Sequence, residues 1–202
     1  MNGLLTLMLM SLRTPRQASA FMIGLEWPRS AIWTALVLAV AVNILLLAGF
    51  LSVAPIQLPA PDTEAGMVTL AIPSPLMMFI VSSGWAVLSV HLLTWTGRAL
   101  GGTGTLDQVA AVWVLLQALR AVGVLALIVA AVVLSPIAGL VGIAVMFLTI
   151  WLSAQFIAEA HAFDSAWQGL GVLIAVFVGL MIGLMALLTV TGLASNMGAG
   201  NV

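Results

Sequence analysis

One cation lies far from both ends of a long apolar segment of the sequence. Arg120 is about 14 residues inside that segment, or about 20 Å from its start at the rise of an α-helix. A guanidinium reaches only about 6–7 Å from its backbone, and a central Arg costs about 2.5–3.5 kcal/mol on membrane-insertion scales. We therefore expect Arg120 to point into a helix bundle. There it either binds an anionic headgroup or substrate, or fastens helices together through Asn43, Gln117 and backbone carbonyls.

Further polar side chains are predicted at a similar depth on four helices in all. No Asp or Glu lies deep within any of the apolar segments, so amides and hydroxyls are the available neighbours of the cation. The sequence predicts an intramembrane polar layer, with either a binding or a structural role, made of Arg120, Gln117, Asn43, Ser82, Ser83 and Thr149.

A second polar set is predicted at one face of the membrane, and it could suggest a metal site. The spacing matches no established zinc pattern, and the chain has two His and no Cys. We expect a polar loop with helix caps and ion pairs, and neither a metal nor a cofactor. The set comprises His91, Arg98, Asp107, Gln155, Glu159, His161 and Asp164.

Catalytic motifs are absent from the sequence. There is no GxSxG, no HExxH and no phosphate-binding loop ending in GK[ST]. Ser82 or Ser83 could pair with His91, but the histidine is about 12 Å further along the same helix, so these side chains cannot meet. We expect no catalytic residue and no enzymatic activity; a lipid-acting enzyme that uses the second polar set is the minor alternative.

The composition requires a membrane around these residues. Of 202 residues, 63% are hydrophobic and 5% are charged, whereas roughly a quarter are charged in a soluble domain. Five basic and six acidic side chains cannot cover a water-exposed surface, so the lipid bilayer is the first partner. The net charge of −1 provides no basic field for nucleic acid.

The predicted fold is all-α, a polytopic transmembrane bundle of five helices. Crossing a bilayer takes about 20 apolar residues. The stretch between Asp107 and Glu159 would be about 80 Å long as one helix, so it must fold back, and Leu134-Ser135-Pro136 is its best break. Thr105 and Gln108 form a predicted capping box before the third span. The spans are residues 30–53, 67–94, 106–134, 136–158 and 166–193, with the regular part of the second beginning near Pro75 and Gly192 ending the fifth.

Residues 1–29 form a separate N-terminal segment, and residues 194–202 form a flexible tail. The N-terminal segment has two short mixed stretches broken at Pro15. It does not have the order of a cleavable signal peptide, because its apolar run precedes its arginines. We expect short helices in the membrane interface, with Arg13 and Arg16 among the headgroups, and a disordered segment is the alternative.

The distribution of arginine predicts the orientation. Arg13, Arg16, Arg29 and Arg98 fall on one side of the five spans, and the other side holds Asp62 and Glu64. The positive-inside rule then places the N-terminus in the cytoplasm and the C-terminus in the periplasm, in a cell inner membrane.

Small residues recur in the later helices, most clearly in Gly179-x-x-x-Gly183. This GxxxG spacing lets two helix backbones approach closely. We interpret it first as packing within the bundle and second as a dimerisation face.

The layout resembles the YIP family, the Ypt/Rab-interacting-protein-like membrane proteins, in its bacterial branch. LRTPR at residues 12–16 is similar to the family's short proline-containing leader. GGTGTLDQ at residues 101–108 is similar to its Gly-rich loop between the second and third helices. IAEAHAFDSA at residues 157–166 is similar to its polar loop between the fourth and fifth helices. Where relatives commonly carry a proline in the third helix, this chain has QALR at residues 117–120.

The resemblance implies five spans with a cytoplasmic N-terminus and a role in shaping membranes or organising complexes. It transfers no catalytic residue. The leading interpretation is a non-enzymatic inner-membrane protein that binds or organises lipids, other membrane proteins or a second copy of itself. The alternative is a small transporter or permease subunit that uses Arg120 at mid-membrane.

Overall fold

The computed structural model describes residues 3–53, 55, 57–59, 67–69, 73–133 and 135–190. Five of the described helices are long and apolar enough to cross a membrane, which confirms the predicted five-span bundle. Leu134, Asp62, Glu64, Gly192 and the predicted tail lie outside the described residues. The helices are α1 (Gly3–Arg13), α2 (Pro15–Gly24), α3 (Arg29–Val53), α4 (Pro75–Ala99), α5 (Leu106–Val133), α6 (Ala138–Ala160) and α7 (Ala166–Val190).

The second span begins later than residue 67. Strands β1 (Gln57–Pro59) and β2 (Met67–Thr69) pair antiparallel between α3 and α4, so residues 67–69 are extended rather than helical. α4 begins at Pro75, because a proline is tolerated in the first turn, where its missing N–H is not needed. The Ser74 hydroxyl caps the helix by accepting from the N–H of Met77 at 3.3 Å.

The two ends of the bundle differ. We call the end at which α3, α5 and α7 begin the arginine end, because it carries Arg16, Arg29 and Arg98. We call the other end the hairpin end, because α5 and α6 are joined there by a 3₁₀ turn at Ser135–Ile137, at the predicted break.

Close packing is concentrated in the half of the bundle at the arginine end. On α5, all but one of residues 109–117 are buried, but between residues 118 and 133 only Ala130 is buried. The buried residues of α6 lie within 152–160 and those of α4 within 86–97. α7 has two buried residues, both in its first two turns. Apart from Ala130 of α5 and the α3 residues Ile44 and Leu51, the buried residues lie at the arginine end, so the bundle has a packed half there and a more open half at the hairpin end.

α6 and α7 approach most closely beside the short connection that joins them. A Cβ atom built on Gly169 would collide with the carbonyl oxygen of Ala154 and would lie 2.9 Å from the backbone nitrogen of Ala158. The absence of a side chain at Gly169 therefore lets the two backbones touch.

The GxxxG pair does not form such a contact within the chain. Gly179 and Gly183 line a groove of about 400 Å³ between α4 and α7, together with Trp85 and Leu92. Among the described residues, no atom lies within 4 Å of a Cβ built at either glycine. The interpretation as packing within the bundle was wrong, because the spacing shows a small-residue face but not its distance from a partner. The dimerisation alternative stays a prediction.

Candidate functional site

The connection between α4 and α5 is closed by the predicted capping box. The N–H of Thr105 donates to Oε1 of Gln108 at 2.9 Å, and the N–H of Gln108 donates to Oγ1 of Thr105 at 3.3 Å. Nε of Arg98 donates to the carbonyl of Gly104 at 2.8 Å. Arg98, from the second polar set, therefore holds this connection in place.

The glycines around this connection form a cradle for His161, which is 1% exposed. A Cβ at Gly97, Gly102 or Gly104 would collide with His161 or with backbone next to it. The imidazole also stacks on Phe163, with ring centroids 5.6 Å apart. His161 is thus a packed contact between the α4–α5 connection and the end of α6.

Burial lowers the pKa of the His161 imidazole below its ordinary value, and the nearby Arg98 charge acts in the same direction. The carbonyls of Ile157 and Thr94 favour the protonated ring but do not outweigh burial. Nδ1 lies 3.1 Å from the carbonyl oxygen of Ile157 and must carry the proton to donate to it. The folded protein therefore favours a neutral ring.

This histidine predicts a loss of stability in mild acid. The unfolded chain takes up a proton near the ordinary histidine pKa of about 6.5, whereas the folded protein resists protonation until lower pH. The melting temperature, measured by tryptophan fluorescence in detergent, should be level at neutral pH and fall as the pH drops below about 6.5. His161→Asn should flatten this decline and His91→Gln should preserve it. An unchanged decline in His161→Asn would assign the effect to another group.

Arg16 makes contacts that the sequence did not indicate. Its Nη2 donates to the carbonyl of Phe163 at 2.6 Å, and its Nη1 donates to the carbonyl of Asp164 at 3.2 Å. Its Nε lies 3.9 Å from a carboxylate oxygen of Glu159. Two backbone carbonyls of the α6–α7 connection therefore bind the guanidinium of Arg16, and its placement among headgroups stays a prediction. Arg13 is exposed.

The same contact anchors the N-terminal segment. α2 packs on α5 and α6 and buries Ala18, Ser19 and Met22. The described N-terminal residues are helical and divide at Thr14 and Pro15, as predicted. The residues around Arg16 do not distinguish it from Arg13. Only its position near the start of α2 could have indicated that it makes these contacts.

The remaining members of the second polar set are dispersed. Asp107 pairs with Arg29 at 3.4 Å; the Arg29 side chain is exposed and that of Asp107 is half-exposed, so this pair contributes little to stability. The ring of His91 lies between Trp33 and Trp95, with centroid distances of 6.0 and 6.1 Å. Gln155 lines an apolar groove between α6 and α7. Within the described residues, no three His, Asp or Glu side chains come together as metal ligands would.

Three members of the predicted polar layer do meet. Nδ2 of Asn43 on α3 donates to the carbonyl of Gln117 on α5 at 2.9 Å. The side chain of Gln117 is buried, and its Oε1 accepts from Nη1 of Arg120 at 3.3 Å. Asn43 therefore joins α3 to α5 directly, and Arg120 is attached to this pair through one neutral amide.

Arg120 points towards the bundle, but it is not enclosed. The other exposed residues of this part of α5, such as Val122, Leu125 and Val129, form one stripe. At about 100° per residue, Arg120 projects about 180° away from Val129, on the side of Leu116 and Gln117. Even so, its side chain is exposed. The expectation that it points inward therefore agrees with its direction, while part of its side chain remains accessible.

Ser82, Ser83 and Thr149 share the level of Arg120, but none of them makes a hydrogen bond to it in the part of the chain that the structure describes. The hydroxyl of Thr149 donates to the carbonyl of Val145 in its own helix at 2.7 Å. The Ser83 hydroxyl is buried and has no partner among the described residues. Both serines lie one turn from Ala86, on the inward face of α4. This level coincides with the boundary between the packed half and the open half.

These features define a class of protein. It is a polytopic helical membrane protein whose arginine end is held by polar contacts and whose hairpin half is apolar and open. A family model described as the Yip1 domain matches residues 10–188. The chain therefore belongs to the Yip1 family, as its leader, Gly-rich connection and α6–α7 connection suggested. Searches of curated proteins and of solved structures find no match to it.

Proposed function

We propose that this Yip1-family protein is a non-enzymatic membrane protein that binds or organises lipids or other membrane proteins. Two apolar grooves between the helices carry the proposal. One is the α4–α7 groove, and the other, of about 530 Å³, lies between α3 and α5; both have almost entirely apolar linings. Acyl chains or a neighbouring transmembrane helix can fill such grooves with close van der Waals contact.

Purification in a mild detergent tests this function. Native mass spectrometry should detect either a tightly held lipid or a co-purifying membrane protein on the full chain. A bare monomer, obtained repeatedly with neither, would contradict the proposal.

We further propose an inner-membrane location with the arginine end in the cytoplasm. Four arginines at one end support it, because cytoplasmic segments carry an excess of basic residues. A C-terminal fusion should be active with alkaline phosphatase and dark with green fluorescent protein. The reverse pattern would overturn the orientation.

A small transporter or permease subunit is the second candidate, and the accessible side chain of Arg120 favours it. An anionic substrate would bind at mid-depth. Arg120→Ala should then abolish substrate uptake into vesicles while the melting temperature stays near that of the wild type. Loss of the fold in this variant, with no uptake by the wild type, would remove this candidate.

A further inference from the structure

We infer that the open half of the bundle binds an acyl-chain lipid with a small acidic headgroup, whose carboxylate or phosphate lies on Arg120. This inference rests on the proposed lipid-binding function and names the chemical class of the ligand. It assigns Arg120 as the residue that recognises the acidic group. It assigns the inward apolar faces of α4, α5 and α7 as the binding site of the acyl chain.

The first step is the charge of Arg120. The acidic side chains of the described residues are Glu26, Asp107, Glu159 and Asp164, and all of them lie at the arginine end. A guanidinium has five N–H donors, and the one described hydrogen bond of Arg120 goes to the neutral amide of Gln117. Most of its hydrogen-bonding capacity and all of its charge remain available to an anion.

The second step is the place of this charge in the fold. Arg120 is about 21 Å from the start of α5 and about 20 Å from its end at Val133. Solvent on either side is therefore out of reach for its side chain. Lipid hydrocarbon cannot stabilise a cation, whereas an anionic group that enters between the helices can.

The third step is the direction of the side chain. One and two turns further along α5, a Cβ built on Gly123 would lie 2.9 Å from Val145 of α6, and one built on Gly142 of α6 would lie 3.6 Å from Leu127, so this side of α5 lies against α6. Gln117, one turn earlier, contacts Asn43 of α3. Arg120 lies between these contacts, on the face of α5 directed towards the other helices, and it is still exposed.

The fourth step is the apolar character of the neighbouring helix faces. Leu119, Phe79, Leu173 and Val176, from α5, α4 and α7, are apolar and only partly buried, and they pack against the core. No buried residue of α4, α6 or α7 lies on the hairpin side of this level in the described residues. A ligand that fits must combine one acidic group with an extended apolar body, which excludes a hydrated inorganic anion and leaves a neutral lipid without a charge partner.

Binding of radiolabelled palmitate and of lysophosphatidate to the full chain in detergent tests the inference and distinguishes a carboxylate from a phosphate headgroup. At least one of them should bind, and hexadecanol, acetate and inorganic phosphate should bind at least tenfold more weakly. Arg120→Gln should weaken acidic-lipid binding at least tenfold, and Arg120→Lys should weaken it less. The matched control Arg13→Gln replaces an exposed arginine outside the site and should bind like the wild type.

Two results would overturn the inference. One is equal binding of hexadecanol and palmitate by the wild type, and the other is wild-type affinity in a folded Arg120→Gln variant. If Arg120→Gln does not fold, a photoreactive diazirine palmitate on the wild type decides the question. Crosslinks should fall on inward residues such as Phe79 and Val176, and crosslinks confined to the outward stripe at Val122 and Val129 would overturn the inference. Retention of another lipid or a protein partner without acidic-lipid binding would refute this inference alone and leave the proposed function standing.

Discussion

Replacement of Gly169 by alanine should destabilise the bundle by about 3 kcal/mol, at the upper end of the usual cost of overpacking. The added Cβ would collide with the backbone carbonyl of Ala154. A backbone carbonyl within a helix cannot rotate away as a side chain can, so α7 must move away from α6. That movement would also reduce the packing around Val172, which is fully buried.

The experiment compares Gly169→Ala with Gly171→Ala in the same helix, by tryptophan fluorescence during heating in detergent. No atom lies within 4 Å of a Cβ at Gly171, and alanine favours the helix by up to about 1 kcal/mol over glycine. Gly171→Ala should therefore melt at or slightly above the wild-type temperature, and Gly169→Ala several degrees below it. Similar melting of the two variants would show that α6 and α7 do not touch at Gly169.

The importance of Gly169 could not be predicted from glycine spacing. A GxxxG pattern identifies a face of a helix, but the rotation of that helix and its distance from a neighbour depend on the whole bundle. One signal was available in the sequence. The short polar connection at residues 161–165 forces α6 and α7 together at their joined ends, so the close contact falls in the first turns of α7. Gly179 and Gly183 lie too far along α7 to take part in this close contact with α6.

The number of spans could be predicted because length and apolar composition determine it locally. The hairpin at Ser135 and the capping box at Thr105 are also local, since each depends on residues within one or two turns. The start of α4 at Pro75 follows from the chemistry of proline. The contacts of Arg16 with Phe163 and Asp164 are not local, because nearly 150 residues separate the partners.

The candidate site was predicted only in part, for a related reason. Depth along a helix follows from counting, so Arg120, Asn43 and Thr149 could be assigned to one level. Which side chain each polar residue contacts depends on the rotation of its helix, and counting residues does not give that rotation. Asn43 faces α5 and bonds to Gln117, whereas Thr149 bonds within its own helix. The exposure of Arg120 depends on the packing of the hairpin half, a property of all five helices.

Replacement of Gly97 by alanine should lower the free energy of unfolding by about 2–3 kcal/mol, which is the second large effect that we expect. The new Cβ would collide with the imidazole ring of His161, which is fully buried between the α4–α5 connection and Phe163. Gly84→Ala is the matched control in the same helix, because no atom lies within 4 Å of its Cβ position. The control should be neutral or slightly stabilising, since alanine has the higher helix propensity.

A double-mutant cycle separates this collision from any general effect of alanine at Gly97. The three atoms nearest to the added Cβ all belong to the His161 ring. In a His161→Ala background the ring is gone, so adding Gly97→Ala should cost little, and the coupling should reach about 2 kcal/mol. Additive effects would mean that the glycine is needed for its backbone and not for the histidine. Strong coupling would instead show that Gly97 and His161 act as one contact between α4 and the end of α6.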